Sequence, residues 1–305
     1  MRLDRRVKDT LTPVELDEGD TLHLILDGGA AWEMTLKHTS AEVLERGRPS
    51  TIDSGHFQND ILVYGMTAVV EVNGRQHVLN REVGSQGSFY EPWVIDGVRV
   101  WFDAAACAFI HPPRHGGLVY EKDWAHRQIC SPSRAARFAV QQADRAIAPE
   151  PIAIWFDRQK AVPDIKECYI GQDCWMGPYN GGAAHCGLDI NMPKGTQLTA
   201  PITLDDQYMF NDRRAGSRCG RWRGTRRWNA DGQDESDWVI QTHHLVDMLV
   251  PERRPIERGT RYALAAGTGV GLIEHTHFVF RIIEQGGDYM LDPWILFWAA
   301  SEENR

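Results

Sequence analysis

Apolar and polar residues alternate along much of the first hundred residues, as in strands that bury one face. The run Thr21–Leu26 is typical of such a strand. Ala68–Val72 and Gln76–Leu79 flank Asn73-Gly74, a dipeptide that tolerates the positive φ of a tight hairpin turn. Asp96-Gly97 predicts a second hairpin in the same way. These repeated signals favour an antiparallel sandwich or barrel.

A helix is predicted after these strands. Ser131 is a suitable N-cap, and Pro132 fits the first helical position. Alanines then recur at roughly helical spacing as far as Ala146, and Ala148-Pro149-Glu150-Pro151 ends the pattern. We therefore predict a β-rich, sandwich- or barrel-like domain with one helix over residues 1–150, with a binding or regulatory role.

The second half of the chain also has the pattern of β-strands. Thr196–Ala200 and Trp238–Thr242 are short runs of strand-forming residues, and His275–Ile283 is a longer one. Residues 151–305 are therefore predicted to form an antiparallel β-sheet domain. The predicted fold class of the whole chain is mainly β.

Composition weighs against two kinds of partner. The 305 residues carry a formal net charge of −9, which does not favour nucleic-acid binding. No stretch approaches the roughly 18 apolar residues of a membrane span. The segment Met1–Arg6 is charged and is not followed by an apolar signal segment. We expect either a cytoplasmic protein or one whose export signal lies outside this numbering; the oligomeric state is not predicted.

The cysteines do not suggest a structural framework. Six of them are spread along the chain, too sparsely for a fold built on disulfides, and no CxxC pair occurs. A zinc site built on thiolates is therefore not expected. The sequence favours mostly free cysteine thiols over disulfide bonds. It does not determine which cysteines would pair if disulfides did form.

Two short motifs carry candidate chemistry. His185-Cys186-Gly187-Leu188-Asp189 and His275-Thr276-His277 together supply imidazoles and a carboxylate, the ligand types of a catalytic zinc ion. Residues two apart in a strand face the same side, so His275 and His277 should project together. Alone, either motif is more often structural. Many loops contain a His-x-x-x-Asp sequence by chance, and the histidines of a His-x-His sequence often only form hydrogen bonds within a polar sheet face.

The residues around these motifs follow an ordered pattern. A glycine-rich approach leads into the His-x-Gly-x-Asp arrangement of residues 185–189. Further short motifs follow in order: Met192-Pro193-Lys194-Gly195-Thr196, Ala200-Pro201, His244-Leu245, Gly267-Thr268-Gly269, His275-Thr276-His277-Phe278 and Asp292-Pro293-Trp294. The set, which spans about residues 175–297, resembles the lysostaphin-type zinc endopeptidases.

This resemblance implies a zinc-dependent endopeptidase that acts on stem peptides or cross-bridges of bacterial peptidoglycan, often with glycine at the cleaved bond. His185, Asp189 and His277 would bind Zn²⁺, and three protein ligands leave a position for water or substrate. His244 and His275 would be the assisting catalytic groups. The resemblance also favours a periplasmic or extracellular location, in tension with the charged N-terminal segment.

Two further assignments rest on local arguments. His243 competes with His244, because adjacent strand residues face opposite sides and only one should reach the site. We favour His244, which is followed by the matching leucine. Tyr179 and Asn180 lie shortly before His185 and are predicted to line the substrate groove, with simple turn structure as the alternative.

An arginine-rich segment departs from the pattern of the family. Seven arginines and Trp222 occur between Arg213 and Arg227 without an acidic residue, and several acids follow. One interpretation is a solvated loop whose basic and acidic arms partly neutralise each other. The other is a subsite for an anionic or polymeric ligand.

Two alternative functions stay open at this stage. The first is a non-catalytic protein of the same fold that binds the cell wall or activates another enzyme. The second is a zinc hydrolase of a different amide or an ester. Filled positions in every matching motif favour the peptidase.

Overall fold

The computed structural model describes residues 1–46, 62–83, 91–106, 132–156, 178–179, 183–184, 187–212, 219–229, 235–265, 267–268 and 274–302. These residues belong to two compact units. The first contains the described residues through Pro149 together with residues 178–179 and 183–184, and the second contains the other described residues from Glu150 onward. The assignment of 1–150 and 151–305 to separate domains stays a prediction.

The first unit is built from strands. Their bounds are β1 (Arg2–Arg6), β2 (Thr12–Leu16), β3 (Thr21–Ile25), β4 (Ala31–Arg46), β5 (Leu62–Val72), β6 (Arg75–Val83), β7 (Trp93–Ile95), β8 (Val98–Ala105), β9 (Ala136–Gln142), β10 (Pro178–Tyr179) and β11 (Ala183–Ala184). One sheet has the order β1-β3-β4-β5-β6, a second has the order β2-β9-β8-β7, and β10 pairs with β11. Only the β1–β3 pair is parallel among these described strands.

Both predicted hairpins of the first unit are present. Asn73 and Gly74 have φ values of 47° and 80° between β5 and β6, and Asp96 and Gly97 have 47° and 81° between β7 and β8. Positive φ at both central residues is the geometry whose twist matches the flanking strands. Asn-Gly and Asp-Gly are therefore the residues that the turns require.

The helix predicted over 131–146 is wrong where the structure describes it, since Ala136–Gln142 form strand β9. This strand lies between β2 and β8, and six of its seven residues are buried. Alanine gains less than about 1 kcal/mol per residue from its helix propensity. Two hydrogen-bonded neighbours and burial of both faces outweigh that preference. Arg137 stays buried in this strand because it pairs with Glu15 at 2.8 Å.

The second unit contains the remaining described strands and a helix. Their bounds are β12 (Leu188–Asn191), β13 (Gln197–Thr199), β14 (Asp206–Asp212), β15 (Cys219–Trp228), β16 (Ser236–Leu245), β17 (Asp247–Met248), β18 (Arg261–Leu264), β19 (His275–Glu284), β20 (Gly287–Leu291) and α1 (Trp294–Glu302). A six-stranded sheet has the order β12-β19-β16-β15-β14, with β20 also paired to β19. The other sheet has the order β13-β18-β17.

One face of the six-stranded sheet covers an aromatic core. Phe278 on β19 packs against Trp155 and Phe297 with ring centroids 4.6 and 5.4 Å apart. Trp222 on β15 stacks on Tyr262 at 3.9 Å. Because side chains alternate along a strand, the neighbours of these residues project to the opposite face. That opposite face carries the candidate site.

The structure confirms the mainly β fold class. The strands predicted at Thr196–Ala200, Trp238–Thr242 and His275–Ile283 correspond to β13, β16 and β19. The chain segment Asp292-Pro293-Trp294 leads into helix α1, where Asp292 Oδ1 accepts the amide hydrogen of Trp294 at 2.9 Å. Within the described part of the chain, no helix is long and apolar enough to cross a membrane.

Candidate metal and catalytic site

One register row of the six-stranded sheet carries most of the predicted site. His277 on β19 pairs directly with Asp189 on β12 and, on its other side, with His243 on β16. The side chain of His277 is buried, with 6% of its surface exposed. The two sequence motifs, distant along the chain, are thus brought together as hydrogen-bonded neighbours. His185 and the carboxylate of Asp189 lie outside what the structure describes.

Gly187, between the two predicted ligands of the first motif, makes room for the imidazole of His277. A Cβ atom at position 187 would fall against Cε1 and Nε2 of that ring and 2.6 Å from the carbonyl oxygen of Phe278. Real Cβ atoms do not approach other atoms so closely, and the opposing carbonyl belongs to a paired strand that cannot move aside. The glycine of the His-x-Gly-x-Asp motif therefore has a packing role at the ring of a predicted ligand.

His244 is the extra residue of a β-bulge. In the backbone register, Arg221 pairs with His243 and Gly220 pairs with Leu245, so the register passes over His244. Its φ of 66° lies in the left-handed region that non-glycine residues rarely adopt. The bulge interrupts the alternation of side chains along β16.

The bulge brings both adjacent histidines to the site. The ring of His243 stacks on His277 with centroids 4.7 Å apart and planes at 20°. The ring of His244 lies 4.4 Å from that of His275. The expectation that only one of His243 and His244 reaches the site is wrong, because it assumed an unbroken two-residue period. Four imidazoles thus lie close together on β16 and β19.

Thr268 fixes the orientation of His244. Its carbonyl oxygen accepts a hydrogen bond from Nδ1 of His244 at 2.9 Å. A carbonyl can only accept, so Nδ1 carries the hydrogen and Nε2 carries the lone pair of the neutral ring. The Cys219 thiol lies 3.7 Å from the same Nδ1. This tautomer suits a histidine that accepts a proton through Nε2.

Thr268 is itself held by two hydrogen bonds. Its hydroxyl donates to the carbonyl oxygen of Leu245 at 2.7 Å and accepts from the amide of Gly220 at 2.9 Å. These two residues are the pair that closes the bulge. The position of the Thr268 carbonyl is therefore coupled directly to the backbones of both strands, β15 and β16, at the bulge.

A buried polar group supports the sheet beneath the histidines. The hydroxyl of Tyr262 accepts from Trp155 Nε1 at 3.0 Å and shares a hydrogen bond with the Thr242 hydroxyl at 3.1 Å. Burial raises the pKa of Tyr262 well above its ordinary value of 10.0, although both hydrogen bonds oppose the rise. Thr242 directly precedes His243, so this group anchors the strand that carries the two adjacent rings.

The remaining predicted residues are less constrained. Tyr179 lies in the two-residue strand β10 and pairs with Ala183. Asn180 lies outside the described residues. Among the side chains that the structure describes, no three His, Cys, Asp or Glu residues are grouped to hold a metal ion. The side chains of two predicted ligands, His185 and Asp189, lie outside the described set, so this absence does not bear on them.

Sequence reasoning missed the bulge, although a signal for it exists. Apart from Val239, which is also buried, the buried positions of β16 follow even numbers at Trp238, Ile240 and Thr242 and then an odd number at Leu245. Such a change of phase within one strand is typical of a single inserted residue. Thr268 and Gly187 were included in the motifs, but their contacts could not be inferred without the strand pairing.

No family model and no curated protein matches this chain. It is similar to the catalytic domain of lysostaphin from Staphylococcus simulans, with 21% identity over 39% of this chain and 82% of that one, at a TM-score of 0.29. It is also similar to a zinc-containing peptidase from Vibrio cholerae, with 13% identity over 91% of this chain and 83% of the other, at a TM-score of 0.28. At such TM-scores the similarity assigns neither a family nor an activity to this chain.

Proposed function

We propose that the protein is a zinc-dependent endopeptidase that hydrolyses peptide bonds in peptidoglycan stem peptides or cross-bridges. The observation that carries this proposal is the direct pairing of Asp189 with His277 across β12 and β19. It joins the two motifs that resemble the lysostaphin-type zinc endopeptidases. The rings of His275, His243 and His244 lie beside the same position.

The residues present fit a zinc ion. His185, Asp189 and His277 are the proposed ligands, a set of two imidazoles and one carboxylate that zinc accepts in catalytic sites. Gly187 contributes by leaving space for the ring of His277. When bound, zinc would lower the pKa of a coordinated water toward about 7 and polarise a peptide carbonyl.

The other histidines have separate proposed roles. His244, held by Thr268 through Nδ1, presents Nε2 as the proton acceptor for the attacking water. His275, with its ring 4.4 Å away, stabilises the developing oxyanion or returns a proton to the leaving amine. His243 lies flat against His277 and limits the orientations of that ring. Tyr179 and Asn180 are proposed to line the groove for an extended peptide.

The proposed substrate places the protein outside the cytoplasm. Peptidoglycan peptides or glycine-rich peptides would reach the site in the periplasm or the extracellular space. We accordingly propose that location.

Two measurements on the purified full-length chain test the proposal. Metal analysis should find zinc at about one ion per chain. Mass spectrometry of digested peptidoglycan should find new amino termini that the zinc-depleted protein does not produce and that added zinc restores. Stoichiometric zinc without any new termini, on peptidoglycan or on glycine peptides, would favour a non-catalytic protein of the same fold.

A further inference from the structure

The face of the six-stranded sheet that carries the histidines continues to the edge strand β14. The row of His277 and His243 extends through Arg221 on β15 to Phe210 on β14. The adjoining row contains Arg223 and Tyr208, which pair with each other. Paired residues of neighbouring strands project to the same face of a sheet. Two arginines and two aromatic residues therefore adjoin the histidines on one surface.

This arrangement replaces the loop interpretation of the arginine-rich segment. Cys219–Trp228 is strand β15, paired on both edges, so the described part of the segment is not a solvated loop. Partial neutralisation does occur at its far end. Arg227 pairs with Asp237 at 2.8 Å and with Glu235 at 2.9 Å, and Arg226 pairs with Asp205 at 2.5 Å.

Arg223 differs from those two arginines. It is half-buried, and it forms no ion pair with any residue that the structure describes. Its Nε, like that of Arg226, is buried without a hydrogen-bond partner among the described atoms. The missing ion pair is therefore what distinguishes Arg223 from Arg226. Leaving a charged donor buried without an acceptor is costly, by about 1–3 kcal/mol or more. A guanidinium in this state is prepared to bind a carboxylate, which can accept two parallel hydrogen bonds from it.

The aromatic residues on β14 form a wall beside the arginines. The rings of Tyr208 and Phe210 are 5.9 Å apart. The guanidinium of Arg253 lies 3.8 Å from the centroid of the Tyr208 ring and pairs with Asp206 at 2.8 Å. Asp206 thus neutralises Arg253, while Arg223 faces no described acid.

We propose that Arg223, assisted by Arg221, binds a carboxylate of the peptide substrate on the β14 side of the catalytic histidines. The proposal rests on the endopeptidase function proposed above and specifies its substrate as a peptide with a free carboxylate near the cleaved bond. Strands are spaced about 4.8 Å apart, and residues along a strand rise about 3.4 Å, which places Arg223 about 12 Å from His277. An extended peptide advances about 3.3 Å per residue, so the carboxylate lies three to four residues from the cleaved bond.

Peptides that differ only in one charge test the proposal. Five-glycine peptides with an amidated C-terminus and with Glu or Gln at either end are titrated into the zinc-loaded His275→Ala full-length chain, and calorimetry measures their dissociation constants. We expect the better Glu peptide to bind about tenfold more tightly than its Gln counterpart, as one charge-assisted bond allows. Adding Arg223→Gln should abolish this preference. Adding Arg227→Gln should keep it, because that arginine lies on the same strand but already pairs with Asp237.

Three results would overturn the proposal: equal binding of the Glu and Gln peptides, no binding of either, or a preference that survives Arg223→Gln. Cleavage of peptides by the parent protein tests the endopeptidase function by itself. It therefore distinguishes failure of the carboxylate subsite from failure of the proposed function. Where the function holds, Arg223→Gln should raise KM for the Glu peptide about tenfold and leave kcat and bound zinc unchanged. Absence of all cleavage, with the binding preference intact, would refute the peptidase and retain the carboxylate subsite.

Discussion

His244 Nδ1 donates a hydrogen bond to the carbonyl oxygen of Thr268 at 2.9 Å. The hydroxyl of the same threonine bonds to the backbones of both strands at the bulge, at Gly220 on β15 and Leu245 on β16. One residue therefore sets both the conformation of the bulge and the tautomer of the ring that the bulge carries. Under the proposed function, this relationship would let Thr268 influence turnover through His244.

Replacement of Thr268 by Val should lower kcat by about tenfold, because it removes two hydrogen bonds of about 1 kcal/mol each that hold the carbonyl in place. Zinc content should be unchanged, since Thr268 holds His244, which is not among the proposed ligands. Steady-state kinetics and metal analysis measure the two quantities. Thr268→Ser keeps the hydroxyl and should keep most of the activity. Equal losses in the Val and Ser variants would show that the hydroxyl has no such role.

Gly187→Ala should weaken zinc binding by about 10- to 100-fold, the usual effect of disturbing the support of a ligand. The added Cβ would meet the ring of His277 and the carbonyl of Phe278. Competition with a chelator measures the affinity. Gly65→Ala is a suitable control, because its Cβ would meet only the end of the Leu44 side chain at 3.1 Å. Unchanged affinity in Gly187→Ala would contradict the packing role of this glycine.

Single replacements of the histidines should separate metal binding from turnover. His185→Ala, Asp189→Asn and His277→Ala should each lose stoichiometric zinc. His275→Ala and His244→Ala should retain zinc and lose at least about 100-fold in kcat, the contribution of a positioned acid or base. His243→Ala should have a smaller effect. A variant of a proposed ligand that keeps its zinc would remove that residue from the ligand set.

Tyr262→Phe tests the buried hydroxyl under β16. A raised pKa means that the folded state favours the protonated form, so stability from this group is complete below pH 10 and is lost as pH rises further. The loss should approach about 1.4 kcal/mol per pH unit. The Phe variant should be about 1–3 kcal/mol less stable at pH 8 because two hydrogen bonds are missing.

Urea denaturation at pH 8 and at pH 11 should show this difference between Tyr262→Phe and the parent shrinking as pH rises. The Phe variant has no group to ionise at that position, whereas the parent must keep a buried hydroxyl protonated. A difference that stays constant over this range would mean that Tyr262 ionises as easily in the folded protein as in the unfolded chain.

Local patterns predicted the strands and turns well where local chemistry determines them. Asn73-Gly74 and Asp96-Gly97 specify their hairpins because few other residues tolerate the required φ. The alanine-rich segment around Ala136–Gln142 failed for the opposite reason. Its neighbours β2 and β8 determine its conformation, and neither can be identified from the spacing of alanines.

In the candidate site, too, local sequence predicted some features, whereas others depend on how the strands pair. The strand predicted at His275–Ile283 is present as β19, and its alternation places His275 and His277 on one face. The same rule failed at His243 and His244, because a bulge depends on how Gly220 and Leu245 pair across strands. Likewise, the arginines of 221–227 look alike in sequence. Only the register shows that Arg227 faces an acid and that Arg223 adjoins the histidines.

The register of β16 suggests that His244 could be deleted without changing how the rest of the strand pairs. His243 pairs with Arg221 and Leu245 with Gly220, so the flanking residues already follow the order of an uninterrupted ladder. Deletion of residue 244 would leave Leu245 in the core and would also relieve a strained backbone, which costs about 1 kcal/mol or more. A chain one residue shorter should therefore fold at least as well and lack one imidazole. Urea denaturation and kinetics of such a variant would measure stability and the proposed role of His244 separately.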